Sequence, residues 1–307
     1  MNILVISSNL IGDTILSTGI IKHFFDKYPN SKFTFVVGPS AAQIYKNFPN
    51  LEKIIKIKKK RYNFHWFKIW NECYAIKWNI IIDFRSSLIS YFLFNKKKFI
   101  FRASNKGHKI DQLKNFFKTD EIPYPIIYNN KDEINIAEKK LDKNKKYIVI
   151  CPGGNWIPKI WPLDNYIKLI NMLNKNFKDL VFIIVGSKKE ENTYLNRISD
   201  QLKDLLIINL MGESITTTAA YMKKSNLFIG NDSGLMHLSV ASKIATIGLF
   251  GPTNEKIYAP FGNNCYTLRT KDSYEEFKDN YIDKNRSYMI SITTEDVFDF
   301  IKSKKLL

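Results

Sequence analysis

The sequence predicts an α/β protein with two halves, each built on a doubly wound parallel sheet. Short apolar runs typical of buried strands alternate with longer stretches of helical spacing. This alternation starts at residue 2, stops in a charged segment near the middle, and starts again at Tyr147. The length of 307 residues also exceeds that of a usual single domain. We therefore expect domains over 1–140 and 141–290, followed by a C-terminal helix over 291–307 that packs back on the N-terminal domain.

The first half begins with an apolar strand and a polar loop that leads into a helix. Strands are predicted at 2–6, 33–37, 54–57 and 80–84, and helices at 14–28 and 41–48. Ligands of such sheets bind beyond the carboxyl ends of the strands. Asp13 follows the first strand and is therefore a candidate functional residue. The alternative interpretation is that Asp13 only caps the helix.

The second half follows a Pro-bounded, charged connection over 124–146, in which a short helix is expected. Strands are predicted at 147–151, 181–185, 205–209, 227–229 and 245–250, and helices at 162–173, 190–202, 216–224, 235–242 and 293–302. After Pro260 the pattern weakens until the last helix. Each half therefore has its own first glycine-bearing loop.

The turn at 230–234 is the strongest candidate for a ligand site. It connects a predicted strand to a short helix, and it contains Asp232, Ser233 and Gly234. Backbone N–H groups and the positive end of a helix dipole at such a turn favour an anion such as a diphosphate. His237 lies one helical turn further, where it can face the same ligand. Ordinary helix capping and a structural histidine are the alternative interpretation.

The net charge of +18 predicts an anionic partner, which could be nucleic acid, a membrane surface or an acidic substrate. Basic residues cluster at 56–65 and 96–109. These clusters could be no more than a solvated surface. For Lys60, Arg61 and Arg102 we favour the binding of an acidic acceptor.

Several cofactor and targeting signals are missing from the sequence. It contains no GxGxxG after the first strand, no GxxxxGK[ST], no HExxH and no Asp-x-Asp. A bound diphosphate would therefore be neutralised by cationic side chains and helix dipoles, without a metal. The three cysteines are odd in number and lack CxxC spacing, which favours a reducing compartment. Since neither a signal peptide nor a membrane-spanning stretch is predicted, we expect a cytoplasmic protein.

Three blocks of sequence together carry a family resemblance. The first is Ile11-Gly12-Asp13 with the helix after it, and the second is PGGN at 152–155 with KIWP at 159–162. The third is GNDSGLMHL at 230–238 with LFGPT at 249–253. With these blocks in this order, nearly the whole chain resembles the bacterial lipopolysaccharide heptosyltransferases of glycosyltransferase family 9, which use ADP-heptose.

The resemblance implies a GT-B fold, in which two Rossmann-like domains face a cleft, with the acceptor on the N-terminal side and the donor on the C-terminal side. It also implies an inverting, metal-independent transfer of heptose from ADP-L-glycero-D-manno-heptose to the Kdo-lipid A or heptosyl-Kdo-lipid A inner core. No cofactor is implied. Asp13 corresponds to the general base of the family and Lys159 to its diphosphate-contacting lysine. The third block implies that Asp232, Ser233, Gly234 and His237 hold the donor.

Further donor contacts are expected around these residues. Gly154 and Asn155 belong to the second block, and Met211 and Glu213 lie on a loop that could meet the adenosine. An anionic acceptor and the anionic cytoplasmic leaflet of the inner membrane would both explain the basic N-terminal half. We therefore expect peripheral contact with that membrane.

Three other functions remain open at the level of sequence. The charge is compatible with a basic nucleic-acid-binding protein, although no recognised module is visible. A non-catalytic sugar-nucleotide binder could use the same scaffold, but the presence of Asp13 and Lys159 argues against it. The same class of enzyme could also use a different nucleotide sugar.

Overall fold

The computed structural model describes residues 1–58 and 65–307. The chain divides into two compact units, Met1–Tyr128 and Asn129–Leu307. Lys60 and Arg61, two of the predicted acceptor-binding residues, lie outside the described residues. The division falls earlier than the predicted boundary at 140, because the helix Lys131–Lys140 packs on the helix Ile215–Met222 of the second unit. Within this packing Thr216 Oγ1 donates a hydrogen bond of 2.6 Å to Glu133 Oε1.

The first unit contains one parallel sheet with the strand order β3-β2-β1-β4-β5. Its strands are β1 (Asn2–Ile6), β2 (Lys32–Val37), β3 (Leu51–Lys56), β4 (Trp78–Asp83) and β5 (Asn95–Ile100), and its α-helices in the described part are α1 (Ile11–Lys27), α2 (His65–Cys73) and α3 (Lys109–Phe117). The central strands β1 and β4 are almost entirely apolar because helices cover both faces of such a sheet.

The second unit contains a larger parallel sheet with the order β11-β10-β9-β6-β7-β8. Its strands are β6 (Lys146–Cys151), β7 (Leu180–Ile184), β8 (Ile207–Asn209), β9 (Leu227–Asn231), β10 (Ala245–Phe250) and β11 (Cys265–Arg269). Its helices are α4 (Lys131–Lys140), α5 (Leu163–Asn176), α6 (Glu191–Gln201), α7 (Ile215–Met222), α8 (Gly234–Ala241), α9 (Glu255–Tyr258), α10 (Tyr274–Asp279) and α11 (Thr294–Ser303).

The two sheets repeat one topology. In each unit the first strand lies in the middle, the second and third strands extend to one side, and the fourth and fifth strands extend to the other. The order reverses between β1 and β4 in the first unit and between β6 and β9 in the second. A crevice opens beyond the carboxyl ends of the strands at such a reversal, and ligands of doubly wound sheets bind there. The predicted class of two doubly wound α/β domains is thereby confirmed.

Some elements differ from the prediction. The predicted helix 41–48 contains only a short 3₁₀ turn, Ala42–Tyr45. No strand was predicted for the lysine-rich stretch 96–98, which forms part of the edge strand β5 with its lysines exposed. The C-terminal helix α11, which we expected to pack on the N-terminal domain, packs on α5 of its own unit. It does so because Val297 and Ile301 are part of the apolar core around the second sheet.

Across the described ranges 1–58 and 65–307, no helix has the length and apolarity needed to cross a membrane.

Candidate active site

Two loops meet at the crevice of the second unit, one after β6 and one after β9. The two strands are direct neighbours, with Cys151 paired to Gly230. The chain then runs from β6 through α5 to β7 on one side, and from β9 through α8 to β10 on the other. The second and third sequence blocks therefore meet in space, as expected for consecutive functional loops at one edge of a parallel sheet.

Asn231 connects these two loops. Its side chain is fully buried, and Nδ2 donates to the carbonyl oxygens of Pro152 and Gly153, at 3.1 and 3.0 Å. Its Oδ1 accepts from the backbone N–H of Trp161 at 2.9 Å and from the hydroxyl of Tyr166 at 3.1 Å. All four hydrogen-bonding positions of one amide side chain are thus used. Asn231 consequently fixes both ends of the loop that carries Lys159.

Lys159 and Asp232 form an ion pair in this crevice. Lys159 is the last residue of a 3₁₀ turn, Ile157–Lys159, and its Nζ lies 3.6 Å from Asp232 Oδ2. The two side chains are only 13% and 11% exposed. Because the pair is poorly hydrated, the lysine charge is less screened than a surface charge would be. An incoming phosphate would compete with Asp232 for the lysine ammonium, with which it can form a charge-assisted hydrogen bond.

The start of α8 lies directly after Asp232. Ser233 is the N-cap residue and its side chain accepts a hydrogen bond from Met236 N at 3.4 Å. The first turn of α8, beginning at Gly234, carries the partial positive charge of the helix N-terminus. The structure thus brings together Lys159, Asp232, Ser233 and Gly234, all predicted from sequence. His237 is buried in the same helix.

The carboxylate of Glu190 stabilises the loop after β6 by hydrogen bonding to its backbone. Its Oε1 accepts from Gly154 N at 2.8 Å, while Oε2 accepts from Ser187 N at 2.9 Å. A Cβ at Gly153 would lie 2.3 Å from Glu190 Oε1, so the carboxylate can reach the loop only because residue 153 is glycine. Sequence reasoning missed both Asn231 and Glu190. The glycine pair at 153–154 was the available signal that another group approaches this backbone closely.

The remaining predicted donor residues lie around these loops. Gly154 is half-buried and Asn155 is exposed in the loop after β6. Met211 is buried within the apolar core, and its Cε would lie 2.5 Å from a Cβ at Gly186. Glu213 is exposed on the loop after β8. The structure therefore gives Met211 a packing role, and an adenosine contact for it stays a prediction.

Cys151 ends β6 beneath the same loops. Burial raises the pKa of its thiol to about 12, and the negative charge of Glu190 acts in the same direction. The thiol is therefore protonated at neutral pH and does not behave as a nucleophile.

Asp13 occupies the corresponding crevice of the first unit, in the first turn of α1. The N-cap residue of α1 is Leu10, so the interpretation of Asp13 as a helix cap does not hold. Ser8 Oγ donates a long hydrogen bond of 3.4 Å to Asp13 Oδ2, and the carboxylate is half-buried. Burial lowers the pKa of Lys109, and the negative charge of Asp13 opposes this shift. The carboxylate thus has a nearby positive charge and remains accessible to a ligand.

Further polar groups lie on the loops after β1, β4 and β5 of the first unit. Asp83, buried at the end of β4, accepts from Arg85 N and Ser87 N, each at 2.8 Å, and thereby fixes the loop after β4. The guanidinium of Arg85 lies 3.4 Å from Asn9 Oδ1 in the loop after β1. Arg102, the third predicted acceptor-binding residue, is exposed just after β5.

The whole chain is similar in fold to solved glycosyltransferases of the GT-B class. It superposes on a glycosyltransferase of family 9 from Veillonella parvula with a TM-score of 0.79, at 22% identity over 98% of this chain and 96% of that one. The Escherichia coli heptosyltransferase WaaC with ADP gives a TM-score of 0.74, at 18% identity over 99% of both chains. These two structures show the fold, and the predicted GT-B class is confirmed.

The sequence comparisons identify the family. The pattern of glycosyltransferase family 9 (heptosyltransferase) matches residues 73–287. Lipooligosaccharide heptosyltransferase 2 of Campylobacter jejuni is 24% identical over 82% of both chains. The chain belongs to glycosyltransferase family 9, the heptosyltransferase family, and is a glycosyltransferase, as its motifs predicted.

Proposed function

We propose that this protein transfers a heptose from ADP-L-glycero-D-manno-heptose to the inner core of lipopolysaccharide or lipooligosaccharide, with Kdo-lipid A or heptosyl-Kdo-lipid A as acceptor. The transfer inverts the anomeric centre and needs no metal. The observation that carries the proposal is the poorly hydrated Lys159–Asp232 pair at the N-terminus of α8, within the part of the chain that matches the heptosyltransferase family.

The second unit binds the donor in this proposal. Lys159 and the first turn of α8 contact the diphosphate, where they stabilise the charge that develops on ADP as it departs. Asp232 accepts hydrogen bonds from sugar hydroxyls, and His237 binds the sugar or the phosphate. Gly154 and Asn155 contribute from the loop after β6, and Met211 and Glu213 from the loop after β8. Lys159 and the N-terminus of α8 supply the positive charge in this set, which supports a diphosphate leaving group that is neutralised without a metal.

The first unit supplies the base. Asp13 takes the proton of the acceptor hydroxyl as its oxygen attacks the anomeric carbon. The new bond joins that oxygen to the anomeric carbon, while the bond to the β-phosphate oxygen breaks and its electron pair leaves with ADP. Lys60, Arg61 and Arg102 bind the carboxylates and phosphates of the acceptor.

The charge of the protein supports a location at the cytoplasmic face of the inner membrane. A net charge of +18 favours an anionic lipid surface, and the proposed acceptor is itself an anionic lipid. The contact is peripheral.

A turnover assay with a panel of nucleotide sugars tests the proposal. Purified protein and Kdo-lipid A are incubated with one nucleotide sugar at a time, with and without EDTA. The nucleotide sugars are ADP-heptose, other ADP-sugars, UDP-N-acetylglucosamine and a UDP-hexose. We expect product only with ADP-heptose, of inverted configuration and unaffected by EDTA. Transfer from another nucleotide sugar alone would favour the same enzyme class with a different donor. Loss of activity in EDTA that returns with a divalent cation would refute the metal-free mechanism.

A further inference from the structure

The first unit exposes a patch of aromatic and aliphatic side chains on two segments that adjoin each other. Seven of the large exposed apolar side chains fall between residues 67 and 94. Three of them lie on or next to α2, namely Phe67, Trp70 and Tyr74. The other four lie on the connection from β4 to β5, namely Leu88, Tyr91, Phe92 and Phe94. These seven residues are called the aromatic patch below.

The two segments are held side by side by a common core beneath them. Ile69 and Cys73 of α2 are buried in the same apolar cluster as Ile89 and Leu93 of the β4–β5 connection. Because the buried residues of each segment are four apart, one side of each segment points into this shared core, and the residues on the other side face outward on neighbouring surfaces. On the connection, Leu88, Phe92 and Phe94 are 76%, 69% and 74% exposed, so the core of this unit does not explain their presence.

Lysines border the aromatic patch. The edge strand β5 begins directly after Phe94, and Lys96, Lys97 and Lys98 on it are all exposed. The ammonium of Lys98 lies 4.1 Å from the ring centroid of Tyr91, so the charged strand and the aromatic segment touch. None of these three lysines has an ion-pair partner within the described part of the chain. Their charge is therefore open to an external anion.

This combination matches a bilayer surface better than it matches a protein or a nucleic acid. Trp and Tyr rings partition to the level of the lipid headgroups, where one end of the side chain is apolar and the other is wet, and Phe and Leu side chains enter the boundary with the acyl chains. Lysines beside them add attraction to anionic lipids, and the two effects together give stable peripheral binding where one alone is marginal. Exposed aliphatic and phenylalanine side chains contribute little to the binding of a polyanion in water, whereas they gain free energy by entering acyl chains.

We infer that the aromatic patch, with the lysines of β5, is the surface by which this protein docks on a bilayer containing anionic lipid. Phe92, Phe94 and Leu88 enter the boundary between headgroups and acyl chains, and Lys96, Lys97 and Lys98 pair with lipid phosphates. The inference deepens the proposed function, since it assigns the surface that meets the membrane carrying the lipid acceptor. It rests on the proposed function only for that purpose, because lipid binding itself can be measured without turnover.

Cosedimentation with vesicles tests the docking surface. The full chain is mixed with phosphatidylglycerol–phosphatidylethanolamine vesicles and, separately, with phosphatidylcholine vesicles. We expect binding to the anionic vesicles that weakens with salt. The variant F92S/F94S should lower the partition coefficient about tenfold or more, since two large apolar side chains are removed. The variant K96Q/K97Q/K98Q should lower it about fivefold per lysine at low salt.

Matched controls separate this surface from general effects of charge and hydrophobicity. Y281S/I290S removes two exposed apolar side chains from the second unit, and K139Q/K140Q/K143Q removes three exposed charges from around α4. Neither control should match the loss seen with its counterpart. Equal losses, or unchanged binding in F92S/F94S, would overturn the inference. A dimer of the wild-type chain that F92S/F94S converts to monomer, without vesicle binding, would assign the patch to a second copy and would also overturn it.

Turnover on two acceptors distinguishes this inference from the proposed function. F92S/F94S should keep the wild-type rate on a deacylated, water-soluble acceptor and lose rate on an acceptor embedded in vesicles. Loss on both acceptors would show that the patch acts in catalysis rather than in docking. If the wild-type chain binds vesicles through the patch but transfers no heptose to either acceptor, the proposed function fails and the docking surface stands.

Discussion

Within the described residues Lys159 pairs with Asp232, and the low exposure of both side chains makes this pair sensitive to substitution. Lys159→Ala should raise the dissociation constant of ADP about 10- to 100-fold and slow transfer, because one charge-assisted contact with the diphosphate is lost. Isothermal titration with ADP and steady-state kinetics measure the two effects. Lys168→Ala, which removes an exposed lysine from α5, is the matched control and should change neither. An unchanged affinity and rate in Lys159→Ala would remove this residue from the donor site.

Asp13 is proposed as the base, and its replacement separates binding from chemistry. Asp13→Ala and the isosteric Asp13→Asn should reduce turnover about 10²- to 10⁴-fold, the usual contribution of a general base, while ADP binds as before. Asp26→Asn is the control, since Asp26 is exposed near the other end of the same helix. Turnover close to that of the wild type in Asp13→Asn would show that another group takes the proton.

The thiols of Cys73 and Cys151 give a prediction about alkaline pH. Burial raises the pKa of each thiol from 9.0 to about 12. Because the folded pKa exceeds the unfolded value, the neutral thiols favour the folded state below pH 9, and this contribution is lost as the pH rises from 9 towards 12. Urea denaturation at pH 8, 9 and 10 should therefore show a falling free energy of unfolding. The double variant Cys73→Ala, Cys151→Ala should show a smaller fall, and an equal fall would assign the effect to other groups.

The sequence predicted those residues of the site that belong to a local pattern of neighbouring residues. Asp232, Ser233 and Gly234 were predicted because a turn that caps a helix has a recognisable pattern within five residues. Asn231 and Glu190 were not predicted, because the backbone groups of Pro152 and Gly154 that they bind lie 79 and 36 residues away along the chain. A side chain whose partners are distant in sequence leaves no periodic signal, and only the fold shows what it contacts.

At the scale of elements, α8 both stabilises the second unit and orients the proposed anion site. Ser233→Ala should lower the free energy of unfolding by about 1 kcal/mol, the usual cost of losing an N-cap. It should also raise the KM for the donor. Ser273→Ala removes the N-cap of α10 and is the control. Its stability should fall by a similar amount with an unchanged KM, and a change of KM in both variants would mean that helix stability alone is responsible.

Most strands could be predicted because they are central and buried on both faces, so that they read as continuous apolar runs. Of the four edge strands in the described part of the chain, β3 and β8 were predicted from their adjacent isoleucines, whereas β5 and β11 were missed. The first carries Lys96, Lys97 and Lys98, and every residue of the second is half-buried. An edge strand faces water on one side, and charged residues there prevent edge-to-edge pairing, so its composition resembles that of a loop. The 3₁₀ turn Ala42–Tyr45 was misread as a helix because a single turn and a short helix share their spacing.

At the scale of the whole molecule, separate apolar clusters around the two sheets predict separate responses to ligand. Because the proposed ADP site lies in the second unit, ADP should raise the midpoint temperature of only one of two unfolding transitions. At an ADP concentration 100 times its dissociation constant, ADP stabilises the folded second unit by about 2.7 kcal/mol. Scanning calorimetry with and without ADP measures it, and at the same ADP concentration Lys159→Ala should reduce the stabilisation to about 0.4–1.4 kcal/mol. Equal shifts of both transitions would show that the units unfold together.

The hydrogen bonds of Asn231, and those of Asp83 at the equivalent strand end, have a consequence for how such an enzyme can evolve. In each unit a buried side chain of a strand, rather than the loop's own residues, fixes where the loops leave the sheet. The tips between these fixed points, such as Asn155 and Trp156, can then mutate without refolding the framework. New donor preferences could therefore arise through a few substitutions at these tips, while the anchored ends of the loops stay unchanged.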